Sequence, residues 1–228
     1  MMRADTRGEE PAAKGGAKGL VDQSGRVLGP RAQETRQRLL DATSSLLAEQ
    51  SLRELRVIDI ARKIGAAPAT FYQYFKDVEG AVLTLADQAS DEMPAVITLI
   101  EGDWEGEAGM ERARSVVDVF IAHWDAYHAI LRVRNLAADE GDVRFRAVRA
   151  RAMRPVIAAL ASRVAAAQAA GKLRSGDHPH AAAAAMAAIL ERLAAYHREL
   201  EVFGVTREDL VETSAHILYR TLTGESAP

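Results

Sequence analysis

Thr70, Tyr72, Gln73 and Tyr74 carry, within five residues, the hydrogen-bonding groups that read nucleic acid. A glutamine amide offers a donor and an acceptor side by side, the pair that matches adenine in a major groove. Threonine and tyrosine hydroxyls reach phosphate oxygens, which fix register. The residues around them put these groups on a short helix. Val57, Ile60, Ala61 and Ile64 recur at i, i+3, i+4 and i+7, one apolar helical face. Gly65 ends that helix, since glycine tolerates the left-handed conformation of a C-terminal stop. Pro68 opens the next, and Phe71 and Phe75 lie one turn apart on its inner side. A helix, a short turn containing glycine and a second helix form the helix-turn-helix pattern. Its second helix lies in the major groove. The same spacing also fits a helical hairpin inside an all-helical core.

Other chemistry is poorly supported. The six histidines, at 123, 128, 178, 180, 197 and 216, have no HExxH spacing, and the chain has no cysteine, so no metal site and no cofactor is expected. No phosphate-cradling GxxxxGK[ST], no GxGxxG after a strand and no GxSxG elbow occurs, so no enzyme activity is expected. Two alternatives stay open: an all-helical enzyme, and a DNA-processing protein that merely uses a helix-turn-helix. The second would need a clustered nucleophile beside arginines. Arg144, Arg146, Arg149, Arg151 and Arg154 form such a run without those partners. They fit a solvated helical face, or partners for an anionic ligand group.

The elements that position these residues read as helices throughout, and the expected class is all-α. Residues 1–31 are rich in Gly, Ala, Lys, Arg and Pro without apolar period, and are expected to be a disordered basic arm. A first helix over Gln33–Glu49 buries Leu39, Leu40, Thr43, Leu46 and Leu47. Asp77 caps a fourth helix running toward Met93, which Pro94 breaks. An acidic glycine-rich loop spans Gly102–Gly109. Helices then follow over Met110–His123, Tyr127–Ala138 and, capped by Asp142, up to about Ala170, with Pro155 expected to kink or divide the last. A helix from His178–Pro179 is nearly all alanine to Ala188, and Thr206 with Asp209 opens the final one.

Charge is unevenly spread. The net is −3, yet residues 1–76 hold 13 Lys/Arg against 9 Asp/Glu while the rest is acidic. A basic front on an acidic body suits a chain that sets one end on DNA. No apolar run reaches the ~20 residues of a membrane span, and no hydrophobic signal core opens the chain, so a soluble, cytoplasmic protein is expected.

The segment Ala66–Phe75, AAPATFYQYF, followed by Lys76-Asp77-Val78-Glu79, closely resembles the recognition helix of the tetracycline-repressor (TetR) family. Thr35–Ala42, Ile60-Ala61 and Gly65 extend the likeness over Gln33–Leu85. The resemblance implies a three-helix DNA-binding head over 32–76 on a helical effector-binding and dimerisation domain over 77–228. It implies a repressor of a palindromic double-stranded operator, working as a homodimer and released by a small-molecule effector. It places Arg36, Arg56, Pro68, Ala69, Thr70, Tyr72, Gln73, Tyr74 and Lys76 toward DNA. Three positions depart from the family pattern: Ala67 where a Ser or Thr cap is usual, Val78 where a lysine is usual, and Arg56 where Thr or Ser is usual.

The last two helices are expected to form a four-helix bundle across a two-fold axis, with Ile189 and Leu218 facing the partner. Trp104, Phe120, Trp124, Tyr127, Met153 and Met186 fit a core or the lining of an apolar ligand cavity. With the family resemblance they are expected to hold a lipophilic or aromatic effector, oriented by His123, Asn135 and Tyr196.

Overall fold

Apolar positions repeating with the helical period carry residues 20–225, those described by the computed structural model, into nine α-helices. They are α1 (Pro30–Glu49), α2 (Val57–Lys63), α3 (Pro68–Tyr74), α4 (Val78–Ser90), α5 (Pro94–Ile100), α6 (Gly106–Asp139), α7 (Val143–Ala169), α8 (Pro179–Tyr196) and α9 (Arg207–Thr223). A 3₁₀ turn over His197–Phe203 follows α8. Extended pairing among the described residues is limited to an isolated Val21–Val27 bridge, so the class is all-α. No described helix is long and apolar enough to cross a membrane.

The expected caps are present. The Asp77 carboxylate accepts from the Gly80 N–H at 2.7 Å, and that of Asp142 from the Arg144 N–H at 2.9 Å. Thr206 and Asp209 satisfy each other's backbone N–H groups in a capping box.

Five expectations need correction. Helix α1 starts at Pro30, because proline needs no hydrogen-bond partner in a first turn. The glycine-rich loop ends at Glu105, and one long helix, α6, covers the two helices expected over Met110–Ala138. Its break is a single non-helical residue, Tyr127 (φ −123°, ψ 17°). Pro155 does not divide α7, which runs unbroken from Val143 to Ala169 with the proline on its exposed side. Leu218 is a core residue at 1% exposure, whereas the adjacent Ile217 is 43% exposed.

The fifth correction concerns the arm. Residues 1–19, with Arg3, Arg7, Lys14 and Lys18, lie outside the described residues. Residues 20–29 form a turn. The Asp22 carboxylate accepts from the N–H groups of Ser24 and Arg26 at 2.9 and 3.0 Å, and the Leu28 N–H donates to the Leu20 carbonyl at 2.8 Å. Leu28 is buried, and the Gln33 amide donates to its carbonyl. Composition alone misses this because a side-chain-stapled turn needs only Asp22, Ser24 and a left-handed Gly25 (φ 83°).

Two cores organise the helices. The first joins Leu39, Leu40, Ile60, Phe71 and Phe75 of the head to Val82 and Ala86 of α4. It continues into Ile130 and Val133 of α6 and Phe145 and Val148 of α7, so α4 is not the head's only attachment to the body. The second fills the body around Trp104, Met110, Val156, Leu160, Leu190 and Leu222. Gly109 is fixed by close approach there: a Cβ at that position would lie 2.3 Å from the Trp104 carbonyl.

Candidate nucleic-acid interface and body grooves

The turn between α2 and α3 is built by backbone hydrogen bonds. Gly65 (φ 69°) donates to the Arg62 carbonyl at 3.0 Å and Ala66 to the Ala61 carbonyl at 2.9 Å, a Schellman stop. The Arg38 guanidinium donates to the Ile64 carbonyl at 2.8 Å and holds the same turn from α1. Ala67 gives α3 no side-chain cap, and Pro68 removes one of the first-turn N–H groups that have no partner within the helix.

Inside the head, the rings of Phe71 and Phe75 are 5.4 Å apart. The Arg36 guanidinium lies 5.1 Å from the centre of the Phe75 ring, a cation–π contact that braces α3 against α1. Burial pushes the pKa of Arg36 down. Of the residues assigned toward DNA, Pro68, Ala69, Tyr72, Gln73, Lys76 and Arg56 are exposed. Thr70, Tyr74 and Arg36 are half-buried. The Arg56 guanidinium lies 3.3 Å from the Asp59 carboxylate, which Arg62 also approaches at 3.5 Å. Sequence reading missed Gln23, whose N–H and side-chain amide donate to carbonyls at the end of α3.

Of the nine residues assigned to an effector, Met153 lines one body groove and His123 another. Trp104, Phe120 and Met186 are packed in the body core, with Trp124 against its edge. The Trp104 indole N–H donates to the Ile100 carbonyl at 2.7 Å, so a main-chain partner satisfies its polar atom. Tyr196 lies under the Arg192 guanidinium, 3.9 Å from ring centre to carbon.

His123 lines a groove of about 530 Å³ with Glu92, Met93, Val96 and Val119, where α5 and the turn before it meet α6. The Tyr127 hydroxyl donates to Glu92 at 2.5 Å, and that bond pushes the phenol up to about 12. His123 Nδ1 is 3.8 Å from the same carboxylate. Burial pushes the imidazole pKa down, against the opposing pull of Glu92.

Met153 lines a groove of about 670 Å³ among α6, α7 and α8, with Arg146, Arg149, Arg154, Ile157 and Glu191. At its base Glu191 receives three side chains: Arg149 at 2.5 Å, Arg134 at 3.2 Å and Asn135 at 3.4 Å. Arg134 is 3% exposed, and burial pulls its pKa down to about 10 while Glu191 opposes the shift. It stays charged near neutral pH. Asn135 thus sits in a polar knot with Arg134, Arg149 and Glu191.

Several solved structures share this architecture. The fatty acid degradation regulator FadR from Bacillus halodurans has a TM-score of 0.61 and 17% identity over 85% of this chain and 97% of its own. Salmonella enterica GusR has a TM-score of 0.61 at 18% identity, covering 83% and 95%. The transcriptional regulator FadR from Bacillus subtilis, in complex with stearoyl-CoA, has a TM-score of 0.58 at 17% identity, covering 83% and 98%. Such identities establish the fold. The family model of bacterial regulatory proteins of the tetR family matches residues 39–80, over the head. That of the tetracyclin repressor-like C-terminal domain matches residues 97–228. With the two models covering most of the head and all of the body beyond α5's start, the chain belongs to the TetR family of transcriptional regulators.

Proposed function

We propose that this chain is a cytoplasmic transcriptional repressor, a binding protein and not an enzyme. As a homodimer it holds a palindromic operator, and it leaves when a small lipophilic or aromatic effector occupies the body. The observation that carries this reading is the exposed row Pro68, Ala69, Tyr72 and Gln73 on α3, with exposed Lys76 just beyond its end, braced from behind by Phe71, Phe75 and Arg36. A recognition helix needs that combination: a rigid inner face and a free polar outer face. Gln73 reads a base, Thr70 and Tyr74 flank it, and Tyr72, Lys76, Arg56 and Arg36 serve the phosphates.

The effector reading draws on the apolar walls of the body grooves and on the B. subtilis neighbour, which carries an acyl-CoA. The dimer reading draws on α8, whose outward face shows Ala181, Ala184, Ala185, Ala188 and Ile189. Small side chains of this kind allow a second helix to approach closely. The last two helices, α8 and α9, make the dimer.

The test is a mobility shift on DNA selected from a random pool by the full-length protein. A palindrome should emerge, and affinity should fall steeply as salt rises, because phosphate contacts release counterions. Absence of a selected palindrome, or binding indifferent to salt, overturns the regulator reading.

A further inference from the structure

Six of the residues lining the α6–α7–α8 groove are alanines, at 138, 150, 158, 184, 187 and 188. The groove exists because these methyl groups stand where longer side chains would fill it. Its floor is apolar: Met153 and Ala187 are buried, and Ile157 is half-buried. Arg146, Arg149 and Arg154 rise around that floor from successive turns of α7. From Arg146 to Ile157 the helix advances about 16 Å, at 1.5 Å per residue.

The charges on the groove do not balance. Four arginines, counting Arg134 beneath, meet two carboxylates, Asp139 and Glu191. Arg134 and Arg149 share Glu191. Arg146 bonds only the Ala138 carbonyl, at 2.8 Å, and Arg154 has no ion pair among the described residues. A concave surface with an apolar floor and surplus guanidinium groups fits a molecule that brings both an anion and hydrocarbon.

We propose that this groove binds a small amphiphile with one anionic head, a carboxylate or a phosphate, and an unbranched apolar chain. Resting on the regulator reading above, this inference assigns the effector its site and chemical class. Arg154 and Arg146 take the head, and the chain lies over Met153, Ile157 and Ala187. Helix α7 also meets the link to the head: Arg151, on the groove's flank, pairs with Asp87 of α4, and Val148, on the far side, packs in the head's core. An occupant that shifts α7 therefore acts on α4 directly.

Decanoate, below its micellar concentration, is the probe, with decanol and acetate as chain-only and head-only controls. Calorimetric titration of the full-length protein should show decanoate binding, and neither control should match it. Arg154→Ala, at an exposed position, should weaken decanoate about tenfold, the weight of one charge-assisted pair, and Arg154→Lys should recover part of the loss. Ala158→Trp, on α7 and off the α8 face given to the dimer, should fill the groove and abolish binding while the protein remains a dimer. Equal binding of decanol, or an Arg154→Ala variant with unchanged affinity, overturns the proposal. So does an Ala158→Trp variant that becomes monomeric, which would make the groove a face between two copies. Operator binding is measured on the same samples: protein that shifts DNA but ignores decanoate sinks the groove assignment alone. Protein that binds decanoate but no DNA sinks the regulator reading.

Discussion

The backbone N–H of Gln23 donates to the carbonyl of Gln73 at 3.0 Å. Its side-chain amide donates to the next carbonyl, that of Tyr74, also at 3.0 Å. The last four carbonyls of a helix have no partner within it, and these two donors serve two of them. The turn over residues 20–29 thus closes the end of α3, the helix that carries Gln73. Gln23→Ala removes one exposed hydrogen bond, worth about 0.5–1.5 kcal/mol. The expected outcome is a few-fold loss of operator affinity with the salt dependence unchanged. Fluorescence anisotropy at several salt concentrations checks it, and wild-type affinity would leave the turn without a role in DNA binding.

Gln73 and Arg56 should separate base reading from phosphate holding. Gln73→Ala is expected to cost ~1–3 kcal/mol on the best operator and to relax preference at one position in each half-site. Arg56→Ala should weaken all sequences nearly equally, and only modestly, because Asp59 already neutralises part of its charge. Selection of bound sequences by each variant distinguishes them. Unchanged preference with Gln73→Ala would move base reading to Thr70, Tyr72 or Tyr74.

How far the sequence can be read follows from the range of the interactions involved. Caps at Asp77, Asp142 and Thr206 and the stop at Gly65 act within a few residues, so local spacing reveals them. The Phe71–Phe75 inner face is legible for the same reason. The knot of Arg134, Asn135, Arg149 and Glu191 spans three helices, and no local pattern marks it. Aromatic content also misleads: Trp104 and Phe120 are typical cavity residues by type, yet the chain's folding places them in the core. The groove owes its existence to alanines, which are scored as helix formers and not as the absence of a side chain.

The Arg134–Glu191 pair should dominate body stability. Removing the carboxylate with Glu191→Ala leaves a buried guanidinium without its counter-charge, a change that costs about 3–5 kcal/mol in comparable cases. Arg134→Met leaves Glu191 paired with Arg149 and should cost clearly less. Urea unfolding of both variants tests the order. A larger loss for Arg134→Met would show that packing of its side chain, and not the charge, is what the fold needs.

His123 makes stability depend on pH. Burial favours the neutral imidazole, so the unfolded chain takes up the proton first as pH falls below the ordinary value of 6.5. Stability from this group is full above that value and is lost as pH drops through the window beneath it. Glu92 works against the shift and Arg134 with it, while Tyr127 stays neutral throughout. His123→Asn should therefore flatten the fall in melting temperature as the pH drops below 6.5. An identical pH profile in the variant would place the titrating group elsewhere.

The proposed assembly through α8 and α9 depends on which side chains face outward. Leu218 is packed in the body core, so a charge there would unfold the protein and report nothing about the dimer. Ile189 and Ile217 are 37% and 43% exposed and lie on the two helices in question. Burying such a side chain at an interface contributes up to about 1.5–3 kcal/mol, and a charge in its place adds a desolvation cost. Ile189→Glu and Ile217→Glu, alone and combined, should yield folded monomers with unchanged helix content and sharply weaker operator binding. The weakening follows because one head then reads one half-site without its partner's gain in effective concentration. Sedimentation and circular dichroism decide the matter, and a double variant that stays a dimer would move the interface off these two faces.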